Sequence, residues 1–199
     1  GVPDRSPEDG GAGLVNLRVE VSLDAATTSD LLRVDPDGAD SGSAFANLTE
    51  VSLSLGLPDA LGRERGTFFV LGAYTSGDDP GALTGSAHAP SNLAADDDWR
   101  LLEAWYEQRF NGGRGAVLAG VYAVDSEFDA KATTEVFLNG AFGTGLDWSE
   151  SGTAGPGIFP ETGLGVRLRY TPAPTVTLMA AVVDGGASAG PLSERARLN

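Results

Sequence analysis

The sequence contains no cysteine, a single histidine and a single methionine. Without cysteine there is no disulfide framework and no thiolate metal site. The lone histidine, His88, lies in a loop-like stretch beside Pro90, with no second histidine to work with as ligand or base. It reads as a solvated loop residue. Basic residues are scarce: 13 Lys and Arg stand against 28 Asp and Glu, a formal net charge of −15. No basic stripe exists to neutralise phosphates, which excludes nucleic acid as a partner. Long apolar runs are also missing. The best candidates, Gly115–Val124 and Val176–Val183, are strand-length, well short of the ~18 residues of a transmembrane helix. That excludes a helical membrane protein. It does not exclude a β-barrel, whose lipid-facing residues are interleaved with polar ones.

Catalytic motifs are absent too. There is no Gly-x-Ser-x-Gly elbow and no P-loop. Gly163-Leu164-Gly165 lacks the third glycine of a dinucleotide site, and Asp35–Asp40 has the wrong acid-to-glycine spacing for an EF-hand. Glu103 and Glu107 could pose as a glycosidase pair. On one strand face they would stand roughly 13 Å apart, too far for either standard geometry. The expectation is a protein that is not an enzyme and uses no cofactor or metal.

What the sequence does contain is alternation. Runs of apolar and polar residues predict strands at 14–23, 45–57, 67–76, 99–110, 115–123, 163–171 and 175–183. The gaps at 24–44, 77–98 and 124–162 are long, and those at 58–66, 111–114 and 172–174 are short. Long and short connections on alternate sides are the organisation of an outer-membrane barrel, with short periplasmic turns and longer extracellular loops. The first strand sets Val15, Leu17, Val19, Val21 and Leu23 against Asn16, Arg18, Glu20 and Ser22. The second sets Val51, Leu53, Leu55 and Leu57 against Glu50, Ser52 and Ser54; the sixth sets Leu164, Val166, Leu168 and Tyr170 against Arg167 and Arg169. In a barrel the apolar face meets lipid and the polar face lines the lumen. Phe68, Phe110 and Tyr170 then fall near one interface, and Tyr74, Trp99 and Tyr122 near the other, as two aromatic girdles.

The acids concentrate in the long gaps, among them Asp30, Asp35, Asp37 and Asp40, then Asp78, Asp79 and Asp96–Asp98. On a barrel rim they would gather cations or divalent ions that bridge lipopolysaccharide. Interior glycines such as Gly72, Gly120, Gly163 and Gly165 are expected at bends, bulges or close approaches. Residues 1–13 carry neither the basic nor the apolar region of a signal peptide. They are rich in glycine, proline and acid and are expected to be disordered, so the chain starts at a mature terminus or inside a longer protein. The segment 124–162 is too long for a passive connection. Its Phe128, Val136-Phe137-Leu138, Phe142, Trp148 and Phe159 should pack against something.

From residue 90 to 185 the sequence resembles the carbohydrate-selective porin family known as OprB. The carriers are Ser91-Asn92, the tryptophan-centred run Leu102–Phe110 and the turn Asn111-Gly112-Gly113-Arg114. Next come Val117-Leu118-Ala119-Gly120, Ser126-Glu127-Phe128-Asp129 and Val136-Phe137-Leu138-Asn139, then Phe159-Pro160 and Leu164–Pro172. The resemblance implies a 16-stranded outer-membrane barrel that admits sugars by facilitated diffusion. The chain is about half the length such a barrel needs. It is expected to be all-β: a partial porin barrel over 14–199, built as an antiparallel up-and-down meander and read as the N-terminal half.

On this reading Arg18, Glu20, Glu50, Glu103, Glu107, Arg109, Arg167 and Arg169 line the lumen, with Trp105 sharing the parity of Glu103 and Glu107. Four of these charges are acidic and four basic, a balance suited to a polar, neutral solute. The segment 124–162 narrows the pore, and its Asp125, Glu127 and Asp129 are expected partners for Arg167 and Arg169. Expected partners of the whole protein are small sugars, outer-membrane lipid and lipopolysaccharide, with assembly as a homo-oligomer left open. The rival reading is a soluble or periplasmic β-rich, lectin-like carbohydrate-binding module.

Overall fold

The computed structural model describes residues 18–35, 41–57, 64–84, 90–131, 133, 137–140, 143–149, 151 and 155–185. The segment 1–13, His88, Val15, Leu17, Asp37, Asp40, Val136 and Phe142 lie outside the described residues.

Seven strands form one sheet in sequence order: β1 (Glu20–Val34), β2 (Gly42–Leu57), β3 (Gly66–Gly77), β4 (Asp98–Phe110), β5 (Gly115–Tyr122), β6 (Gly163–Ala173) and β7 (Val176–Val183). Every neighbouring pair is antiparallel, and among the described residues no strand crosses to a second sheet. This is the meander that the alternation predicts, not the Greek key of a sandwich. Short helices α1 (Pro80–Thr84), α2 (Asp125–Phe128) and α3 (Leu146–Ser149) sit in the two long connections.

The first expected strand needs correction. It runs over 20–34, and the connection to β2 shrinks from the expected 24–44 to 35–41. Residues 24–30 lack an apolar stripe because part of their outward ladder is made of polar pairs, Thr27 with Thr49 and Ser29 with Asn47. The Thr27 and Thr49 hydroxyls hydrogen-bond at 2.5 Å, and the Ser29 hydroxyl donates to Asn47 Oδ1 at 2.8 Å. Such pairs hold a ladder as apolar pairs do. The long connections that remain, 78–97 and 123–162, still leave from the same end of the sheet as 35–41.

Register assigns the faces. Leu23 pairs with Leu53, Leu53 with Val70, and Phe68 with Tyr106; Val117 pairs with Leu168 and Leu168 with Ala180. These positions form one continuous apolar face. It is uncovered: Val21, Leu23, Leu164, Val166, Leu178 and Val182 are all exposed. Aromatics edge it at both ends, Phe68, Tyr106, Phe110 and Tyr170 by the short turns and Phe45, Tyr74 and Trp99 by the long loops. The Tyr74 and Trp99 rings lie 4.8 Å apart. Positions 68 and 74 are roughly 20 Å apart along a strand rising about 3.3 Å per residue. That approaches the height of the apolar band of an outer-membrane barrel. Tyr122 is not in the girdle. It is buried at 2 % exposure on the opposite face, packed with Leu118 and Val124.

The opposite, inner face is where the long loops fold. Leu48, Ala73 and Leu102 form one small core there, covered by Leu93 of the 78–97 loop and Phe159 of the 123–162 loop. Leu118, Tyr122 and Val124 form another, covered by Trp105, Phe128, Trp148 and Ile158. Burying such side chains stabilises by roughly 1.5–3 kcal/mol each. Phe137 and Leu138 depart from expectation and remain exposed, at 48 % and 57 %. Their backbone serves instead: Leu138 O accepts from Asn92 N at 2.7 Å, tying the two long loops together.

Glycine is required where Trp105 meets β5. Gly120 pairs with Trp105 and has φ +144, and a Cβ there would run into the backbone of Ala104 and Trp105. The turn after β4 uses Asn111, Gly112 and Gly113 at φ 57, 67 and 76. Its Gly112 and Gly113 amides donate to the Glu64 carboxylate of the neighbouring turn.

Candidate functional site

The inner face of β4, β5 and β6 carries a charged cluster whose side chains share one parity. Glu107, Arg109, Arg167 and Arg169 all point to this face because Glu107 pairs with Leu118, Leu118 with Arg167, and Ala116 with both Arg109 and Arg169. Glu107, 7 % exposed, receives Arg167 Nη2 at 3.0 Å, Arg109 Nε at 3.3 Å and Arg169 Nη2 at 3.7 Å. Arg167, 3 % exposed, also donates from Nε and Nη2 to the two oxygens of Glu127, both at 2.7 Å. Glu127 belongs to α2, so this bidentate pair clamps the 123–162 loop onto the sheet. The Thr162 hydroxyl adds a second tie, donating to Leu102 O, and Val124 N donates to Gly157 O at 3.0 Å.

The other loop acids turn inward to the loop itself. Asp125 accepts from the Thr144 hydroxyl at 2.8 Å, and burial pushes its carboxyl above the usual range. Asp129 accepts from Lys131 Nζ at 2.6 Å and from Gly145 N at 2.7 Å, and these bonds hold its carboxyl below the usual range. Neither meets Arg167 or Arg169; of the three loop acids, Glu127 does. Arg169 meets Glu107 instead. Arg167 is covered by its partners, so Arg109 and Arg169, both more open, present the cluster's accessible guanidinium surface.

Glu103 and Trp105 form a unit on the same face, the indole Nε1–H donating to Glu103 Oε2 at 2.7 Å. Trp105 stacks on Phe69 of β3, with ring centroids 5.0 Å apart and planes inclined by 27°. Arg18 and Glu20 lie apart, at the start of β1 on the far side of the sheet, where Glu20 pairs with Arg65 at 3.3 Å. The structure therefore gathers Glu103, Trp105, Glu107, Arg109, Glu127, Arg167 and Arg169 around one wall and loop, with Asp125 and Asp129 behind them in the loop.

Sequence reasoning missed Phe69. Beside Phe68 it reads as part of an apolar run, but the two rings face opposite sides of the sheet. Strict parity counted from Leu53 through the β2–β3 register would have found it. Arg100 was missed because a bulge in β4, opposite Leu71 and Gly72, resets the parity there. It turns inward and donates to the Thr75 hydroxyl at 2.6 Å and Asp96 O at 3.0 Å.

Neighbour-paired antiparallel strands, an apolar outer face between two aromatic belts and a charged inner face under a clamped loop define the wall of a porin-type β-barrel. The sequence agrees: residues 40–195 match the family described as carbohydrate-selective porin, OprB family. The chain belongs to that family. A solved structure titled "High pH structure of Pseudomonas putida OprB" superposes with a TM-score of 0.66 at 18% identity, over 84% of this chain. That likeness is one of fold. The chain covers 41% of that protein's length. No curated protein matches the sequence.

Proposed function

We propose that this chain supplies about half the wall of a bacterial outer-membrane porin through which small sugars diffuse passively. The uncovered apolar face meets lipid, and the acidic loop rim, with Asp78, Asp79, Asp96 and Asp97, meets lipopolysaccharide through divalent ions. No cofactor and no chemical step is involved. The observation that carries the reading is the clamp between Glu127 on the loop and Arg167 on the wall, which holds the 123–162 loop on the face opposite the apolar one. A loop held there narrows a lumen. The solute then passes the guanidinium groups of Arg109 and Arg169, which replace its hydration with charge-assisted hydrogen bonds. Arg167 and Glu127 are positioning residues.

Planar-bilayer recording on the full-length protein tests this. Deleting the middle of the loop, residues 130–156, is expected to raise single-channel conductance and weaken discrimination between sugars of different size. Arg167→Ala is expected to alter sugar flux more than Leu168→Ala on the opposite face. Unchanged conductance and size cutoff in the deletion variant would place the loop outside the path.

A further inference from the structure

The inner face has a second, chemically different region on β1–β3. A cavity of about 420 Å³ lies there, lined by Asp24, Glu50, Ser52, Phe69 and Leu71. We infer that it is a subsite for protonated amino sugars, an inference that rests on the porin reading above. Its floor is aromatic. Phe69 lines it; one face of its ring is held against Trp105, which leaves the other for the apolar C–H face of a pyranose. A volume of this order is that of a small-molecule site.

Its walls are acidic, with no countercharge among the described residues that line them. Asp24 lies across the ladder from Ser52, two residues from Glu50, a diagonal separation of about 7–8 Å. An ammonium group between the two carboxylates can donate to both. Among the described residues no basic side chain lines the cavity. Asp24 accepts from the Ser22 hydroxyl at 2.7 Å, and Glu50 has no hydrogen-bond or ion-pair partner among the described residues. The contrast with the β4–β6 wall is direct, because there one carboxylate, Glu107, is met by three arginines. The acidic track continues. Glu50 and Leu71 also line an adjoining cavity of about 440 Å³ under the loop, together with Glu103 and Asp125. The lysine in that cavity, Lys131, is held by Asp129 at 2.6 Å. A neutral sugar would stack on the shelf but leave the charges unanswered. An anionic sugar would be repelled. A bare cation would answer the charges and gain a cation–π contact with Phe69, but it has no C–H face to stack there. A sugar with a protonated amine satisfies both.

The test is permeation through liposomes carrying the full-length protein at neutral pH. Solutes are glucosamine, glucose, N-acetylglucosamine and ethanolamine. Glucosamine is expected to enter at least about threefold faster than glucose or N-acetylglucosamine, since a focused acidic wall raises local cation concentration by that order or more. In the Asp24→Asn, Glu50→Gln double variant the ratio of glucosamine to glucose falls toward one. In Phe69→Ala the glucosamine rate falls by a larger factor than the ethanolamine rate. Heat-modifiable migration on gels shows that each variant has folded. A native ratio of one, with glucose still passing, overturns the subsite and leaves the porin reading intact. Equal enhancement of glucosamine and ethanolamine, insensitive to Phe69→Ala, also overturns it, in favour of an unspecific negative field. If no sugar passes, the porin reading itself fails.

Discussion

Glu107 answers three guanidinium groups with one carboxylate, and its neutralisation would leave them repelling one another. Removing one member of a buried charged network costs about 3–5 kcal/mol. Glu107→Gln is expected to lose about that much, measured by urea-driven unfolding from lipid vesicles. Arg109→Gln should lose less than about 1 kcal/mol, because its side chain is 50% exposed and solvent screens the pair. That Glu107, Arg109, Arg167 and Arg169 share a face was legible from parity; that Glu107 draws the three arginines together was not. The choice of Glu127 over Asp125 and Asp129 as the loop partner was not. That choice depends on where α2 lands, and on Thr144, Lys131 and Gly145 claiming the other two carboxylates. Except for Lys131, two residues from Asp129, these contacts join residues too far apart in sequence for a local pattern to encode.

Among the elements, β1 and the 123–162 loop were the least readable. Alternation finds a strand by its apolar stripe, so it missed β1 beyond residue 23, where the outward side chains include Thr27 and Ser29 bonded to β2. Aromatic content foretold a packed loop, and Phe159 and the Phe128–Trp148 stack at 6.3 Å fulfil it. Phe137 and Leu138 do not, since their strand-like run contributes backbone rather than side chains. The loop's internal clasp should be acid-labile. The carboxyl of Asp129 is held below its ordinary value of 3.8. Its contribution is therefore fully present above that value and is lost as pH falls through the lowered one. Asp125 has the opposite sign: its raised value favours the folded loop in acid, and that contribution declines as pH rises past 3.8. With Trp99 and Trp105 replaced by Phe, Trp148 fluorescence is expected to report loosening at low pH. Asp129→Asn should remove that acid transition.

At the scale of the molecule, the sheet's two faces differ in kind, and this the strand patterns at β1, β2 and β6 did announce. Leu53→Arg or Val166→Arg is expected to cost roughly 2–4 kcal/mol of folding into lipid in the complete barrel, whereas Val19→Arg, at a position that precedes β1 at its short-turn end rather than lying at mid-membrane, should cost about 0–1 kcal/mol. Unchanged folding of both Leu53→Arg and Val166→Arg would mean that the face assignment is inverted. The seven-strand meander also dictates sidedness. β1 begins opposite Gly56, beside the short connection 58–65, whereas β7 ends opposite Gly165, beside the long one. On the porin reading proposed above, the polypeptide makes one net traverse of the bilayer between those points, which would put Arg18 and Gly185 in different compartments. The native absence of cysteine makes this directly measurable. A bulky maleimide polymer applied to intact cells is expected to tag Gly185→Cys at the surface. It should reach Arg18→Cys only after the envelope is broken.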